Sequence, residues 1–435
     1  MNLPELPWLD NTGKLRREKL SVENGCIRIS RSEFIAETEI KLQNCSEFML
    51  PGLIDCHVHF RQPGQTKKEG ISNGCRAAIA GGVTTVCDMP NTCPPTCDAK
   101  SLVQKQKLWQ HYGRINHRLF LGFNHNFILN DKKWPKTACP AELGIDPGSI
   151  AGLKVFFAES GSCPAVFDVE TIADLMLNWP LIAFHAEDER LFRTSPGNSH
   201  SENRPREAVI SALAIIEQAM RIARDKANGH KTARVVLLHL ATKEEADWIR
   251  FMKAERFDLA AETCPHYLYF TEEDVEKSYS LIKVNPPIRE AYDQHALWQA
   301  VADGTIDLFS SDHAPHTPAE KQSDNPPSGI PGIERMWQLL AFGVEQGRIS
   351  WRKAIELACL NAAQCYNFTT KSGIEEGNNA DLVVLKRQST EANHRIITRA
   401  QYDPYMGFPF PWQVGQVFIS GRKIFHDGKF QEAEC

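Results

Sequence analysis

From about residue 49 to residue 316, short continuous apolar runs rich in Val, Ile, Leu and Phe alternate with longer polar or amphipathic stretches. The runs are "FMLPGLIDCHVH", "GVTTVCDMP", "RLFLGFN", "AGLKVFF", "PLIAFHAED", "ARVVLLHLA", "DLAAETCPHYL" and "IDLFSSDHAPH". Runs that are apolar throughout, rather than at every second position, read as parallel strands buried on both faces. In one intervening stretch Val209, Ala212, Leu213, Ile216 and Met220 recur on one helical face until Gly229 ends the pattern. Eight strand-then-helix units predict a (β/α)8, TIM-like barrel of the α/β class. Nearly every run finishes in polar, reactive residues, and the C-terminal rim of such a barrel is where an active site assembles.

Outside the barrel, "LSVENGCIRIS" near the N-terminus and "ADLVVL" and "GQVFISGRKIFHDGKF" near the C-terminus read as short strands. Neither end can bury a core alone, so the two are expected to meet in a small β-sandwich. The expected division is 1–48 for its N-terminal part, 49–375 for the barrel and 376–435 for its C-terminal part. The Pro/Gly/Ser-rich segment 317–332 follows the eighth strand and is long enough to cover a site. The segment 124–150 carries no motif to which a function attaches.

A length of 435 residues fits one large barrel with an accessory domain. With 49 Lys plus Arg against 54 Asp plus Glu, and no basic run, nucleic acid is not expected as a partner, and a small-molecule substrate is. The N-terminus lacks the basic-then-apolar order of a secretory signal and no 18-residue apolar run occurs, so a cytoplasmic protein without membrane insertion is expected. Thirteen cysteines, an odd number without a C-x-x-C pair, fit reduced thiols; Cys93 and Cys97 read either as a metal clip or as two ordinary thiols.

In "LPGLIDCHVHFRQPG", residues 55, 57, 59 and 61 share one side of the strand if it stays extended. His57 and His59 can then reach one metal ion, with Arg61 beside them. Other strand ends add Lys154, His185, His239 and Asp312, a donor set suited to zinc. Lys154, in the apolar "IAGLKVFF", is costly to bury as an unpaired ammonium. It pairs with an unseen carboxylate, snorkels to the rim, or loses its charge and captures carbon dioxide as an anionic carbamate with two oxygens.

H-x-H on strand 1, lysine on strand 4, histidines on strands 5 and 6 and aspartate on strand 8 resemble the amidohydrolase superfamily over about residues 48–385. Within it, "HVHFRQPG", "GGVTTVCDMPNTCPPT", "GLKVFF", "FHAED", "LLHLAT", "ETCPHYL", "KVNPPIR" and "SSDHAPHT" together resemble the dihydroorotases. The resemblance implies two zinc ions, one held by His57, His59 and Asp312 and the other by His185 and His239, bridged by N6-carboxylated Lys154. It also implies that Asn91 and His316 join Arg61 on a substrate carboxylate, and that Asn285, Ser328 and Gly329 contact a dihydropyrimidine ring. A guanidinium matches a carboxylate through paired hydrogen bonds.

The reaction so implied is the reversible interconversion of N-carbamoyl-L-aspartate and (S)-dihydroorotate in pyrimidine synthesis. Two ions sharing a water supply hydroxide near neutral pH, and Asp312 serves both as ligand and as proton shuttle to the leaving nitrogen. A homodimer and an association with aspartate transcarbamoylase are expected. Allantoinases share much of the scaffold, but "MPNT" and "DHAPH" depart from their versions of those segments. Neutral cyclic ureides, the substrates of dihydropyrimidinases and hydantoinases, offer Arg61 no anion. A non-catalytic scaffold relative would be expected to have lost metal ligands, and none is missing.

Overall fold

A computed structural model of the chain describes residues 3–30, 42–124, 147–161, 163–195, 197, 199–278, 280–370, 373–388 and 395–431. Eight strands, Leu53–Val58, Val83–Asp88, Asn116–Gly122, Ile150–Phe156, Leu181–His185, Arg234–Leu237, Leu259–Thr263 and Leu308–Phe309, lie side by side in chain order, each parallel to the next. Val58 bridges His313 beyond the eighth strand, and the His59 N–H donates to the His313 carbonyl at 2.9 Å, which brings the two edges together. The predicted barrel is therefore present and nearly closed. All six residues of each of the first two strands are buried, as expected of strands covered on both faces.

The helix predicted from the 3.6-residue pattern spans Arg206–Ala227, with Val209, Ala212, Leu213, Ile216 and Met220 all buried. It stops at Asn228, whose φ of 48° is left-handed, one residue before Gly229 at 87°.

The termini meet as expected. Trp8–Leu9, Leu15–Arg16 and Glu47–Pro51 join Leu382–Arg387, Trp412–Ile419, Arg422–His426 and Lys429–Phe430 in one seven-stranded sheet, where Glu47–Pro51 pairs antiparallel with Leu382–Arg387. A hairpin of Lys19–Glu23 and Cys26–Ser30 forms the second layer. Alternation sets what each face covers. Met49, Leu382, Val384 and Phe418 pack with Leu20 and Ile27 of the hairpin in a small second core, while Phe48, Leu50, Val383, Leu385 and Val417 join the main core.

The run "FMLPGLIDCHVH", read from sequence as one strand, is two: Glu47–Pro51 belongs to the terminal sheet and Leu53–Val58 to the barrel. Gly52 makes the crossing, and no side chain fits there: a Cβ would lie 2.2 Å from Thr84 Oγ1. Residues 125–146 of the segment without a motif lie outside the described residues. No helix among the described residues is long and apolar enough to cross a membrane. The described cysteines, Cys93 and Cys97 among them, are free thiols, and the His/Cys/Asp/Glu grouping found among described residues includes neither.

Candidate active site

A cavity of about 220 Å³ opens at the C-terminal ends of the barrel strands. All six candidate metal ligands, His57, His59, Lys154, His185, His239 and Asp312, line it. So do the six candidate substrate contacts, Arg61, Asn91, Asn285, His316, Ser328 and Gly329. A larger cavity of about 440 Å³, lined by Arg76, Gln338 and Phe425 among others, holds none of them.

Three of these side chains sit where the regular strand has already ended and the backbone turns left-handed: Arg61 at φ 60°, His239 at 42° and Asp312 at 43°. Non-glycine residues rarely adopt this region, and their gathering at one rim is the backbone strain that functional sites carry. It also corrects one expectation. The first strand does not run on to residue 61, so Arg61 reaches the cavity through the turn and not through the alternation that aligns His57 with His59.

Three of the four histidines are oriented by an acceptor on the outer nitrogen, while His239 Nδ1 has no partner. His57 Nδ1 donates to Glu262 Oε1 at 2.8 Å, His59 Nδ1 to Asn91 Oδ1 at 2.8 Å, and His185 Nε2 faces Glu187 Oε2 at 3.1 Å. With its proton so engaged, each of these three rings turns a lone pair inward. The inner atoms converge: one ligand atom each from His57, His59 and Asp312 lies within 4.8 Å of the others, and His185 Nδ1 is 2.9 Å from His239 Nε2. Asp312 Oδ1 lies 3.1 Å from His59 Nε2 and 3.3 Å from His57 Nε2 yet makes no hydrogen bond to either.

The charge states suit metal binding, which needs neutral imidazoles and ionised carboxylates. Burial pushes His59 down to about 4 and lowers His185 and His239 as well. Burial works against the Asp312 carboxylate, but His57, His59 and His239 outweigh it and hold its carboxyl well below the usual range. Lys154 is 1 % exposed, and its Nζ has no hydrogen-bond partner. Burial brings its amine down to about 7, against the pull of Glu262 and Asp312. No hydrogen-bonded carboxylate and no reach to solvent is found for it; its Nζ lies over the Phe156 ring at 4.8 Å, and burial favours the uncharged amine among the three readings from sequence. Two buried orphan atoms, Lys154 Nζ and Asp312 Oδ1, in a nest of inward lone pairs fit a divalent metal centre.

Of the residues that orient the candidate ligands, Asn91 was singled out from sequence only as a substrate contact, and Glu262 and Glu187 were not singled out. Glu262 is fully buried, accepting from Ser310 Oγ at 2.8 Å besides His57. Glu187 also pairs with Arg204 at 2.6 Å. The signal for Glu262 was available: a carboxylate inside the apolar run "DLAAET" poses the same burial problem as Lys154. Gly329 of the 317–332 segment sits at φ 125°, where a Cβ would meet the Ala314 carbonyl oxygen at 2.4 Å, so only glycine brings this backbone to the cavity wall.

The amidohydrolase family model matches residues 48–113 and 205–424, and the chain belongs to this family. It is 32% identical to an allantoinase of Streptomyces avermitilis over 89% of this chain and 86% of that protein. It is 31% identical to a dihydroorotase of Methanosarcina acetivorans over 90% of this chain and 85% of that protein. The multifunctional protein CAD of Squalus acanthias is 30% identical over 87% of this chain, which spans only 15% of that protein's length. In fold the chain is similar to the L-hydantoinase of Arthrobacter aurescens, with a TM-score of 0.82 at 22% identity, covering 98% of this chain and 96% of that one.

Proposed function

We propose that the chain is a zinc-dependent dihydroorotase that interconverts N-carbamoyl-L-aspartate and (S)-dihydroorotate, a cyclic amidohydrolase acting in pyrimidine synthesis. Arg61 carries this choice among cyclic amides. Its guanidinium is 9% exposed, and its Nε has no hydrogen-bond partner. Its Nη2 faces His316 Nε2 at 3.3 Å, but that nitrogen donates to the Ser328 carbonyl at 3.0 Å while Lys68 Nζ donates to Nδ1 at 3.2 Å. The imidazole therefore offers Arg61 no lone pair. A buried guanidinium whose Nε has no partner and whose Nη2 meets a nitrogen that is itself a donor calls for an anionic ligand, and the dihydroorotate carboxylate supplies one. The neutral rings of allantoin and dihydrouracil do not.

His57, His59 and Asp312 would hold one zinc ion and His185 and His239 the other, with carboxylated Lys154 between them. Bound there, the ions supply Lewis-acid activation of water and of the scissile carbonyl. The neutral Lys154 amine adds to carbon dioxide, forming a C–N bond and releasing its proton to solvent, and the resulting carbamate offers two oxygens. Arg61 and Asn91 bind the substrate carboxylate, and His316 joins them once its Nε2–H turns from the Ser328 carbonyl. Asn285 and the backbone at Ser328 and Gly329 hold the ring. Asp312 takes the proton of the attacking water and delivers it to the ring nitrogen as the amide C–N bond breaks; in the cyclising direction the same carboxylate returns it.

A cytoplasmic homodimer, associated with an aspartate transcarbamoylase, belongs to the same reading. The test is to give purified, zinc-loaded protein dihydroorotate and allantoin in parallel and follow both in the ultraviolet. Ring opening of dihydroorotate with allantoin untouched supports the proposal; the reverse preference overturns it.

A further inference from the structure

We propose that His200 is a positioning residue of this site: it holds the Asn285 side-chain amide with its oxygen turned out of the catalytic cavity, so that the NH₂ faces the substrate and donates to a ring carbonyl there. The identity of the ring rests on the dihydroorotase reading; the orientation of the amide does not.

His200 opens the short helix His200–Asn203, after the fifth barrel strand, while Asn285 lies beyond the seventh. The two line different cavities. Asn285 is in the wall of the catalytic one, and His200 lines a neighbouring apolar cavity of about 220 Å³ together with Val275, Ile282, Val284 and Ile288. His200 Nε2 lies 2.8 Å from the Val284 carbonyl and 3.0 Å from Asn285 Oδ1. A backbone carbonyl only accepts, so Nε2 carries the proton, and whatever atom of Asn285 faces that N–H must accept as well. That fixes the oxygen on His200 and leaves the NH₂ for the catalytic side. Burial brings His200 down to about 4, with Lys283 and Arg204 adding to the effect, so the ring is neutral near pH 7 and its single N–H is committed here.

The surroundings hold His200 in place. Ser199 and Glu202 form a reciprocal cap on the helix, with the Ser199 N–H donating to Glu202 Oε2 at 2.6 Å. Arg289, on the same loop as Asn285, donates to the Arg204 carbonyl at 2.6 Å and to the Ser201 carbonyl at 3.3 Å. The turn after strand 5 and the loop after strand 7 are thus tied to each other, with the His200–Asn285 contact among the ties. Without that contact the amide is free to flip and present its oxygen to a substrate oxygen, which repels.

The test compares His200→Phe, which keeps the ring and loses the donor, with His200→Gln, which keeps a donor. H200F is expected to raise KM for dihydroorotate about tenfold or more with a smaller change in kcat, since one hydrogen bond that orients the ring is lost in ground and transition state alike. H200Q is expected to recover most of that loss, and H200F combined with Asn285→Ala to be no weaker than N285A alone. A KM for H200F equal to the parent's, or H200Q as impaired as H200F, overturns the proposal. Neutron diffraction, which tells the amide oxygen from ND₂, reads the orientation directly. Oxygen toward His200 in the parent, lost in H200F, supports the proposal, and NH₂ toward His200 in the parent overturns it. H200A replaces H200F if the latter does not fold. A parent that opens no dihydroorotate would fail the functional reading, and the neutron result alone would then decide the role of His200.

Discussion

Arg61 and Lys154 are both buried basic side chains with a nitrogen that has no hydrogen-bond partner, Nε in the one and Nζ in the other, and each poses the question of what occupies it in the working protein. For Arg61 the proposed function gives the substrate as the answer. Arg61→Met keeps the apolar stem and removes the charge, and truncating one partner of a buried charge pair costs about 2–5 kcal/mol. R61M is expected to lower kcat/KM for dihydroorotate by about two to three orders of magnitude, mostly through KM, with zinc content unchanged; steady-state kinetics and metal analysis check this. For Lys154 the proposed function gives chemical modification as the answer. Lys154→Ala is expected to lose zinc and about 10³-fold or more in kcat, the scale of several kcal/mol of metal activation, and to regain part of the rate with added short carboxylic acids. The candidate ligands were legible because histidine, lysine and aspartate stand out at the ends of apolar runs. Glu187 was not, and Glu262 showed only as a carboxylate in an apolar run, because an acidic residue gives no sign in the sequence of which imidazole nitrogen it holds. The place of Arg61 was right for the wrong reason: the left-handed turn that aims it is a matter of local strain that alternation does not encode.

Secondary-structure elements were legible where burial alone decides them. The barrel strands and the helix Arg206–Ala227 follow from apolar periodicity, which the core enforces. The split at Gly52 was hidden because both halves of the run are equally apolar, one facing the barrel core and the other the two faces of the terminal sheet. Gly52→Val would press its branched side chain against Thr84, whose Oγ1 would lie only 2.2 Å from a Cβ at residue 52. It is expected to destabilise by about 1–3 kcal/mol or more, read as a lower urea midpoint. In the hairpin, fully buried Ile27 seals the second core, and Ile27→Ala is expected to cost about 2–5 kcal/mol while leaving KM and kcat of the folded protein unchanged. A loss of activity in folded I27A would contradict a purely structural role for the sandwich.

Across the whole molecule, side chains from strands separated by more than 250 residues, His57 and Asp312, meet within one cluster because the barrel brings its first and eighth strands together. Such closure makes the centre a joint between distant segments, and ligands that bind only the folded state stabilise it by mass action. Removing metal with a chelator is expected to abolish activity and lower the melting temperature, both recovering with zinc. Sequence pattern gave the barrel and its rim; the tautomer-setting acceptors and the cavity shape depend on packing between segments far apart in the chain. The most direct measurement is a crystal structure of the zinc-loaded protein with dihydroorotate bound. Expected are two ions among His57, His59, His185, His239 and Asp312, carbamate density on Lys154 Nζ between them, and the substrate carboxylate on Arg61. An unmodified lysine amine beside a single ion, or a carboxylate bound away from Arg61, would contradict the proposed chemistry.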